Sequence, residues 1–384
     1  MVKLNAARQV EWQKSFGGAG DDDVVLVKPT KDGGYLVGIN TDSNASGDQK
    51  EALFGGTDVW LLKLDRKGQL LWKRLYGGDY EEKLAGFVET EDKGILLGIS
   101  SNSGLSGNKR SERFGMRDFW VLKLDERGDE LWQDIYGGEG DEELTEVMEL
   151  ENKDILLVGT SNSEVSGNKT VKLESESDFW MLRLTAKGET VSQHSYTGGD
   201  YNLVANGLVT PKGNVLLGGS VLKSTKSGQN YSYIGVELDE EGEMTWEKEL
   251  SSSGADVLRK VIQTREGGYV FAGTSDGGYG KIKQSQKGRN DFWIVKVAKK
   301  DKEKEDRVSI EAMPNPTSSY TNVIIGFEYR KGELQLLDLN GRILQRRAIE
   351  YQTEAVNLSD YPRGMYIISV KTDEGEGSVK VIRK

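Results

Sequence analysis

The sequence predicts an all-β fold in which a five-bladed β-propeller precedes a small β-sandwich, and two observations carry that prediction. A stretch that begins Asp118-Phe-Trp and ends in a Gly-Gly pair recurs, and copies begin at Asp58 and Asp178. Weaker copies begin at Tyr233 and Asp291. A fixed period of this length is typical of repeat architectures. The chain also has 48 glycines and only 5 prolines, which suits many tight turns between strands.

Each repeat divides into four strand candidates, named a, b, c and d in chain order. In the second repeat they cover residues 84–90, 95–100, 118–125 and 131–138, with Gly-containing turns after strands a and c. Each strand type occurs five times. The last repeat lacks its own strand d, and the first strand d, residues 10–18, precedes any complete repeat. We therefore predict a 3+1 closure, in which residues 10–18 complete the fifth blade and no edge stays exposed.

One segment does not fit this closure. Val2-Lys-Leu-Asn5 resembles the strand-c copy Leu62-Lys-Leu-Asp65 and has no place in a ring of five blades. Two interpretations remain open: the segment is a displaced end, or the chain is part of a longer array with more blades. We favour five closed blades.

All eight tryptophans lie on strands c and d of the repeat. Such a series suits a sugar-binding platform or packing between neighbouring blades, and recurrence at one position per blade favours packing. The fourth repeat departs from the pattern, because Ser192 stands where strand d should have tryptophan and Tyr233-Ile-Gly replaces Asp-Phe-Trp. It is either the weakest blade or one specialised for a partner. The single histidine, His194, lies on the same strand, and we interpret it as structural because it lacks a second histidine or a cysteine as partner.

The repeat combines the elements Trp-x-Lys…Gly-Gly, Asp-Gly-Gly-Tyr, Ser-Gly-Asn and Asp-Phe-Trp-Val-Leu-Lys-Leu-Asp. In this it resembles secreted bacterial propeller repeats of similar length, and the resemblance covers residues 1–298. The resemblance implies a propeller, but it implies no common biochemical activity.

The composition excludes several classes of function. Cysteine is absent, so disulfide frameworks, thiolate metal sites and cysteine nucleophiles are excluded. The formal net charge of −11 argues against nucleic acid and an anionic membrane surface as partners. No apolar run approaches the roughly 20 residues of a membrane span. Residues 1–8 have no apolar core and are not a signal peptide, so we expect that the signal peptide of an exported protein has been removed.

The carboxy-terminal part of the chain has a different composition. Residues 299–311 are predicted to be a solvated linker, because nine of the ten residues from Ala298 to Arg307 are charged. Residues 312–384 contain short strand-like runs separated by turns such as Asn340-Gly341. This pattern predicts a small antiparallel sandwich of immunoglobulin-like type.

The motifs of this tail are specific. Pro314-Asn-Pro316, Leu336-Leu-Asp-Leu-Asn-Gly-Arg342, Asn357-Leu-Ser359, Pro362-Arg-Gly-Met-Tyr366 and the basic end Val379-Lys-Val-Ile-Arg-Lys384 follow one another in order. They resemble the type A carboxy-terminal sorting domain of the type IX secretion system. The positions that carry the motif are Pro314, Asn315, Pro316, Asp338, Gly341, Gly364, Tyr366, Lys380, Arg383 and Lys384.

The resemblance implies export across the outer membrane of a Bacteroidota-type bacterium. It also implies two partners, an outer-membrane shuttle of the translocon and a sortase-like peptidase that cleaves near residues 298–312 and attaches the protein to the surface. The alternative is an ordinary immunoglobulin-like adhesion module.

The candidate binding residues lie on the loops between strands d and a. In a propeller wound this way, these loops and the long b–c loops share one face, and loops on a rigid scaffold are the usual place for binding. The d–a loops are acidic. The predicted ligand-binding residues are Asp21, Asp22, Asp23, Asp79, Tyr80, Glu81, Glu82, Asp141, Glu142, Glu143, Asp200 and Tyr201.

Calcium is the alternative use of this face, although we expect no cofactor. Asp42-Ser-Asn44-Ala-Ser-Gly-Asp48 offers oxygen ligands at alternating positions around a Gly turn, as hard-cation loops do. The segment lacks a bidentate glutamate at the expected place, and its copies have fewer carboxylates. Asx and Ser turn chemistry explains the same residues, and we favour that interpretation.

A glycoside hydrolase is the enzymatic alternative, because five-bladed propellers include such enzymes. That chemistry needs two carboxylates about 5–9.5 Å apart in an axial pocket, and Asp22 and Asp141 are the least unsuitable pair. A catalytic pair should be unique, whereas these acids recur in each blade. Phosphate loops are excluded, because the Gly-Gly pairs precede strands rather than helices.

The sequence therefore predicts a secreted, surface-displayed propeller that binds a glycan or a protein, is not an enzyme and carries a type IX sorting tail. A structural cargo without a ligand is the remaining alternative.

Overall fold

The computed structural model describes residues 1–225, 228–278, 282–283, 285–298 and 310–384. The chain divides into two compact units, Met1–Ala298 and Lys299–Lys384. Every regular element in the described residues is a β-strand. The described part of the chain has no helix that could cross a membrane. Most of the predicted linker, residues 299–309, lies outside the described residues.

The first unit begins with a two-stranded sheet and continues with four antiparallel four-stranded sheets. The two-stranded sheet contains β1 (Val2–Leu4) and β2 (Val10–Gln13). The next sheet contains β3 (Asp22–Pro29), β4 (Tyr35–Thr41), β5 (Asp58–Leu64) and β6 (Leu70–Tyr76). The second contains β7 (Glu82–Glu89), β8 (Ile95–Ser101), β9 (Asp118–Leu124) and β10 (Glu130–Tyr136).

Two further four-stranded sheets and one three-stranded sheet follow. The third sheet contains β11 (Glu142–Glu149), β12 (Ile155–Ser161), β13 (Asp178–Leu184) and β14 (Thr190–Tyr196). The fourth contains β15 (Tyr201–Val209), β16 (Val215–Thr225), β17 (Gly228–Leu238) and β18 (Met244–Leu250). The three-stranded sheet contains β19 (Asp256–Gln263), β20 (Tyr269–Ser275) and β21 (Asp291–Val297). We refer to these five sheets as blades 1 to 5.

The blades are arranged around their first strands. Each first strand contacts the first strand of the next blade, from β3 through β7, β11 and β15 to β19. A cavity of about 630 Å³ is lined by residues from all five of these strands. Innermost strands that surround a central cavity are typical of β-propellers. The predicted fold class, all-β with propeller blades of strands a to d, is confirmed.

The hydrophobic core lies between successive blades. In β5, Val59 and Leu61 face blade 2 and belong to one buried cluster with Trp120. The alternate residues, Trp60 and Leu62, belong to the cluster on the other face of the same sheet. Side chains of a strand alternate between the two faces of its sheet. The strands c are therefore continuous apolar runs, because both faces are covered.

The predicted 3+1 closure needs correction. Strand β2 pairs with β1, and among the described residues no strand pairs with the outer edge of β21. In the register, Val2 and Lys3 lie opposite Gln13 and Trp12. This is the register of strands c and d in blade 1, where Leu62 and Lys63 lie opposite Lys73 and Trp72. Strand β1, which had no place in the predicted ring, therefore pairs with β2 in the position that was expected for β21. Pairing across a short loop costs less conformational entropy than pairing across the whole unit.

The unpaired edge leaves apolar side chains exposed in blade 5. Phe292 is 92% exposed and Ile294 is 67% exposed. The residues at the same positions of blade 2, Phe119 and Val121, are fully buried. The face of blade 5 that points away from blade 4 therefore has no cover among the described residues.

The second unit is a sandwich of two antiparallel sheets. Its strands are β22 (Ile310–Met313), β23 (Tyr320–Ile325), β24 (Gly332–Leu337), β25 (Ile343–Ile349), β26 (Thr353–Asn357), β27 (Gly364–Thr372) and β28 (Glu376–Arg383). One sheet has the order β22-β23-β26 and the other has the order β25-β24-β27-β28. Val323 of the first sheet and Leu336, Ile368 and Val381 of the second are fully buried in one cluster. The two sheets thus pack face to face around an apolar core.

Candidate functional site

The d–a loops (residues 17–21, 77–81 and 137–141) and the b–c loops (residues 42–57, 102–117 and 162–177) form what we call the loop face. In blade 2, the amides of Asp79, Tyr80 and Glu81 donate to Ser106 Oγ, Ser103 Oγ and Asn102 Oδ1, at 2.9, 2.9 and 2.8 Å. The same three hydrogen bonds recur in the first and third copies. The repeated Ser and Asx residues therefore hold the d–a loops in one conformation.

Three predicted ligand-binding residues have a structural role in this network. Glu142 is fully buried, and it accepts hydrogen bonds from the Gly138 amide at 2.8 Å and from Ser161 and Ser163 at 2.8 and 2.5 Å. Glu82 accepts equivalent bonds from Gly78 and Ser101, and Asp22 from Gly18, Thr41 and Ser43. These carboxylates close the loops from the inside, since buried polar groups are satisfied by hydrogen bonds.

Two further predicted ligand-binding residues, Asp141 and Glu143 of blade 3, form ion pairs with cationic residues of blade 2. Arg117 forms a bidentate ion pair with Asp141, with distances of 2.7 and 2.6 Å, and lies 3.6 Å from Glu143. Lys83 also pairs with Glu143. Hydrogen bonding to Asp141 raises the pKa of Arg117. The charges at this point of the loop face are therefore largely neutralised.

The remaining predicted residues are more accessible. Tyr80 is 55% exposed, and the Arg113 guanidinium lies over its ring at 5.9 Å from the centroid. Asp79 accepts a hydrogen bond from Ser106 at 2.7 Å, and Asp200 accepts one from the Ser224 amide at 2.8 Å. Tyr201 is half-buried at the start of β15. The other exposed members are Asp21, Asp23 and Glu81.

Apolar side chains lie among these carboxylates. Leu105, Met116 and Val165, all on b–c loops, are 61%, 65% and 59% exposed. Phe114 reaches across to the next blade, where its ring lies against Gly167, and Phe54 lies against Gly107 in the same way. The glycines at these places have positive φ, and an added Cβ would collide with the ring or with neighbouring backbone. The loop face is thus a rigid surface of exposed apolar side chains and acids.

The calcium alternative concerns Asp42, Asn44 and Asp48. Each of these residues already accepts a backbone hydrogen bond: Asp42 from the Asp21 amide at 2.5 Å, Asp48 from Gly17 at 3.2 Å and Asn44 from Ala45 at 2.8 Å. Among the described residues, no group of three or more His, Asp or Glu side chains is arranged to hold a metal ion. The oxygens proposed as ligands serve as loop acceptors in this arrangement.

Beneath the loop face, Asp58 and Asp118 are fully buried carboxylates at the start of strands c. One oxygen of each accepts an amide hydrogen bond, from Phe54 and Phe114 respectively, and the other oxygen has no hydrogen-bond partner within the described part of the chain. Burial raises the pKa of each group to about 6, and the nearby charges of Glu82 and Glu142 add to this shift.

These two groups predict a pH dependence of stability. Their pKa in the folded state, about 6, lies above the ordinary value of 3.8, so the folded state binds the proton more tightly. The free energy of unfolding should therefore rise as the pH falls from about 6 to about 4. Asp58→Asn and Asp118→Asn should flatten this slope when thermal unfolding is followed between pH 4 and 7.

Asp32 provides the control for this experiment. Burial alone would raise its pKa, but hydrogen bonds from Thr30, Gly34 and Lys63 hold the pKa at about 2. Asp32→Asn should therefore leave the slope between pH 4 and 6 unchanged. An unchanged slope in both buried variants would contradict the assignment of the raised pKa values.

The central cavity contains charged residues that the sequence analysis missed. Its lining includes Lys28, Glu146 and Lys260. The Oε2 atom of Glu146 lies 4.0 Å from Nζ of Lys260. Burial raises the pKa of Glu146 and lowers that of Lys28. These residues do not recur, since Gly86 stands in β7 where β11 has Glu146. Departure from the repeat on an innermost strand is the signal that would have found them.

The pair considered for glycoside hydrolysis is not arranged for that chemistry. Both oxygens of Asp22 accept loop hydrogen bonds, and Asp141 is held in its bidentate pair with Arg117. A retaining or inverting enzyme needs one carboxylic acid and one free carboxylate facing each other across the substrate. No observation in the described residues favours this alternative.

In the second unit, the motif residues fasten the last strand. Asn315, between Pro314 and Pro316, donates to the Lys380 carbonyl at 2.7 Å and accepts from the Ile382 amide at 3.0 Å. Arg383 donates to the Ser359 carbonyl at 2.8 Å, and the Lys384 amide donates to the Thr317 carbonyl at 2.8 Å. The motif thus connects the start of the unit to its final residues.

The other motif residues form turns and the core. Asp338 accepts the amides of Asn340 and Arg342, around Gly341 with its φ of 82°. Tyr366, near the start of β27 at Gly364, is buried and donates to the Pro362 carbonyl at 2.6 Å. Lys380 and Lys384 are the exposed cationic side chains of the motif, and Pro314, Asn315 and Pro316 are exposed as well.

Residues 311–384 match the protein family described as the secretion system C-terminal sorting domain. This part of the chain is a type IX sorting domain. The sorting domain marks the chain as a secreted protein attached at the cell surface, and it implies interaction with the type IX secretion machinery.

No curated protein matches the chain. Among solved structures, the chain is similar to PorZ, an essential bacterial surface component of the type-IX secretion system of Porphyromonas gingivalis, with 11% identity and a TM-score of 0.30. The match covers 96% of this chain and 53% of PorZ, so the chain spans about half of that protein. The β-propeller domain of the Trilobed protease from Pyrococcus furiosus has 8% identity, coverage of 94% and 93%, and a TM-score of 0.37. The fold assignment rests on the strand pairing described above.

Proposed function

We propose that residues 1–298 are a binding module at the cell surface, which binds a glycan or a protein through the loop face and catalyses no reaction. The observation that carries this proposal is the exposure of Leu105, Met116 and Val165 on loops held by repeated hydrogen bonds. Exposed apolar side chains with a polar rim are typical of interaction sites. Loops that are already ordered also lose less conformational entropy on binding.

We expect no turnover, and the same network supports this part of the proposal. Carboxylates that recur in each blade are used as loop acceptors, and the accessible ones are not paired as acid and nucleophile. The proposed binding needs no cofactor. Calcium would act only as a secondary support for the loops around Asp42 and Asp48.

The partners of the sorting domain are also part of this proposal. An outer-membrane shuttle of the translocon would recognise the final strand, where Lys380 and Lys384 are exposed beside the fastened Asn315. A sortase-like peptidase would cleave the charged segment between the two units. The source organism would then be a member of the Bacteroidota.

The test is a glycan-array screen of the full chain, with calcium and with chelator, followed by a triple variant. Leu105→Ser, Met116→Ser and Val165→Ser together should weaken binding at least tenfold, because they remove the exposed apolar contacts. Retained binding in chelator would exclude a calcium requirement.

The matched control uses exposed apolar residues at the opposite end of blades 1 to 3. Leu71, Leu131 and Val191 follow the tight c–d turns and are 56%, 60% and 52% exposed. Their triple serine variant should bind like the natural chain. Equal loss in both triple variants would contradict the loop-face proposal, and no binding to any glycan would leave only the protein-partner form of it.

A further inference from the structure

A tryptophan clamp recurs at three successive junctions, between β2 and blade 1, between blades 1 and 2, and between blades 2 and 3. The Nε1 atoms of Trp12, Trp72 and Trp132 donate to the carbonyls of Arg66, Glu126 and Ala186, at 3.2, 3.0 and 3.3 Å. In every case the acceptor lies 54 residues ahead, in the c–d turn of the next blade.

Each ring also lies against the glycine of that turn. A Cβ added at Gly68, Gly128 or Gly188 would stand 2.9–3.2 Å from the indole. These glycines have positive φ values, which side-chain-bearing residues rarely adopt. An indole with its N–H on a turn carbonyl is therefore the standard occupant of this junction.

The junction between blades 3 and 4 has lost its tryptophan. Ser192 lies opposite Arg183 in the strand register, as Trp72 lies opposite Lys63. Arg183 donates through Nη1 to the Glu240 carbonyl at 3.1 Å. That carbonyl has the same place in its turn as the carbonyl of Glu126, so the arginine takes the hydrogen bond that an indole makes elsewhere.

The junction without the indole has a cavity of about 230 Å³. Its apolar wall contains Leu150, Leu156, Met181, Val209 and Val215. At the junction between blades 1 and 2, the groove in the equivalent place has a volume of about 360 Å³ and has Trp72 as a wall. Its other lining residues are the apolar Leu36, Leu71 and Ile95 and the charged Lys31, Asp32, Lys63, Glu89, Lys93, Glu126 and Arg127. At the junction between blades 3 and 4, Ser192 thus stands in place of the tryptophan, and the charged Glu89 and Lys93 correspond to Val209 and Gly213.

The polar residues that line the cavity are Glu151, Asn152, Arg183, Ser192, His194, Asp239 and Glu240. Arg183 is held by Asp154 at 2.8 Å, and the imidazole of His194 lies parallel to Tyr196, with centroids 6.1 Å apart and an angle of 12°. A Cβ added at Gly242 would stand 2.5 Å from His194 Nε2. The histidine therefore covers part of the glycine surface that an indole covers elsewhere, and the apolar space remains open.

We propose that this cavity binds an indole-like aromatic ring that carries an N–H donor. The apolar wall would take the ring. The Glu240 carbonyl already accepts from Arg183, and its second lone pair would accept the N–H of the ligand, as the turn carbonyls of the three equivalent junctions accept from their own tryptophans. An apolar cavity of roughly 150 Å³ is large enough to bind benzene, so the volume suits a larger bicyclic ring. This site lies at the c–d turns and is independent of the proposed loop-face function.

The test measures binding of 5-fluoroindole to the full chain by fluorine NMR. We expect saturable binding with one site per chain. Ser192→Trp should weaken it at least tenfold and raise the temperature of unfolding, because the introduced side chain fills the cavity. Ser192→Leu fills the same space with a smaller side chain and provides the same test if Ser192→Trp does not fold.

Trp132→Ser is the matched variant, because it removes the clamp at the preceding junction. It should lower the unfolding temperature and leave binding at the Ser192 site unchanged. Unchanged binding in both Ser192 variants, or no binding to the natural chain at millimolar ligand, would overturn the proposal.

A second arm separates the sources of the ring. A short peptide with one central tryptophan is compared with free indole. Tighter binding of the peptide would assign the site to a segment of a partner protein, whereas tighter binding of free indole would assign it to a small aromatic molecule. Both results support the cavity as an aromatic site, and a phenylalanine peptide that binds equally well would contradict the role of the N–H donor.

Discussion

Replacing Phe119 by alanine is expected to lower the free energy of unfolding of the first unit by about 3–5 kcal/mol. The side chain is fully buried between blades 2 and 3, and its ring centroid lies 4.9 Å from that of Trp180. The same change at Phe292 is expected to cost less than about 0.5 kcal/mol, because an exposed side chain leaves no cavity when it is removed. Phe292 occupies the equivalent position of blade 5 and is 92% exposed.

The pair of variants therefore measures whether blade 5 is covered in solution. Urea unfolding of both proteins, followed by tryptophan fluorescence, gives the two free energies under the same conditions. A large loss for Phe119→Ala with a negligible one for Phe292→Ala agrees with the open edge of β21. Equal losses would show that another strand or chain covers this edge in solution.

The strand order within each blade could be predicted from the sequence, and the reason is local. Strand c has a continuous apolar run, residues 119–122 in blade 2, because both of its faces are buried, and the turn after it carries a glycine at positive φ, such as Gly128. A pattern of this kind depends on neighbours within one repeat. Recurrence then confirms each assignment several times.

The closure could not be predicted in the same way. Val2-Lys-Leu4 and Val295-Lys-Val297 are nearly the same strand-c motif, and both would place lysine opposite Trp12. A sequence pattern shows that a strand fits a partner, but it does not decide between two equivalent partners. The difference lies in the length of chain that separates them.

The structural roles of the acidic residues in the d–a loops could not be predicted from the sequence either. Glu82 and Glu81 are adjacent acids in one loop, yet Glu82 is 1% exposed and Glu81 is exposed. Only the structure shows that the amide of Gly78 and the hydroxyl of Ser101 are bound to the first of them. An acid that recurs at one position of the repeat has a structural role in the loops. Ser192 and Glu146, by contrast, indicate candidate functional sites because they depart from the repeat.

Replacing Glu142 by alanine is expected to lower the free energy of unfolding by about 3 kcal/mol or more. The change leaves three donors without their acceptor, the Gly138 amide and the hydroxyls of Ser161 and Ser163, and each unsatisfied buried donor costs roughly 1–3 kcal/mol. Glu139→Ala, an exposed acid in the same loop, should stay within about 0.5 kcal/mol of the natural chain. Thermal and urea unfolding of the two variants provides the comparison.

Glu142→Gln separates the charge of this residue from its role as an acceptor. The amide oxygen still accepts from Gly138, so we expect a smaller loss of stability than in Glu142→Ala. The variant also removes a negative charge near Asp118, and that charge contributes to the raised pKa of Asp118, although burial contributes more. The pKa of Asp118 should therefore fall below about 6 but stay above its ordinary value, and carboxyl-carbon NMR titration measures this directly. An unchanged pKa together with unchanged stability would mean that Glu142 does not close the loop from the inside, and the rigid loop face on which the binding proposal depends would lose its main support.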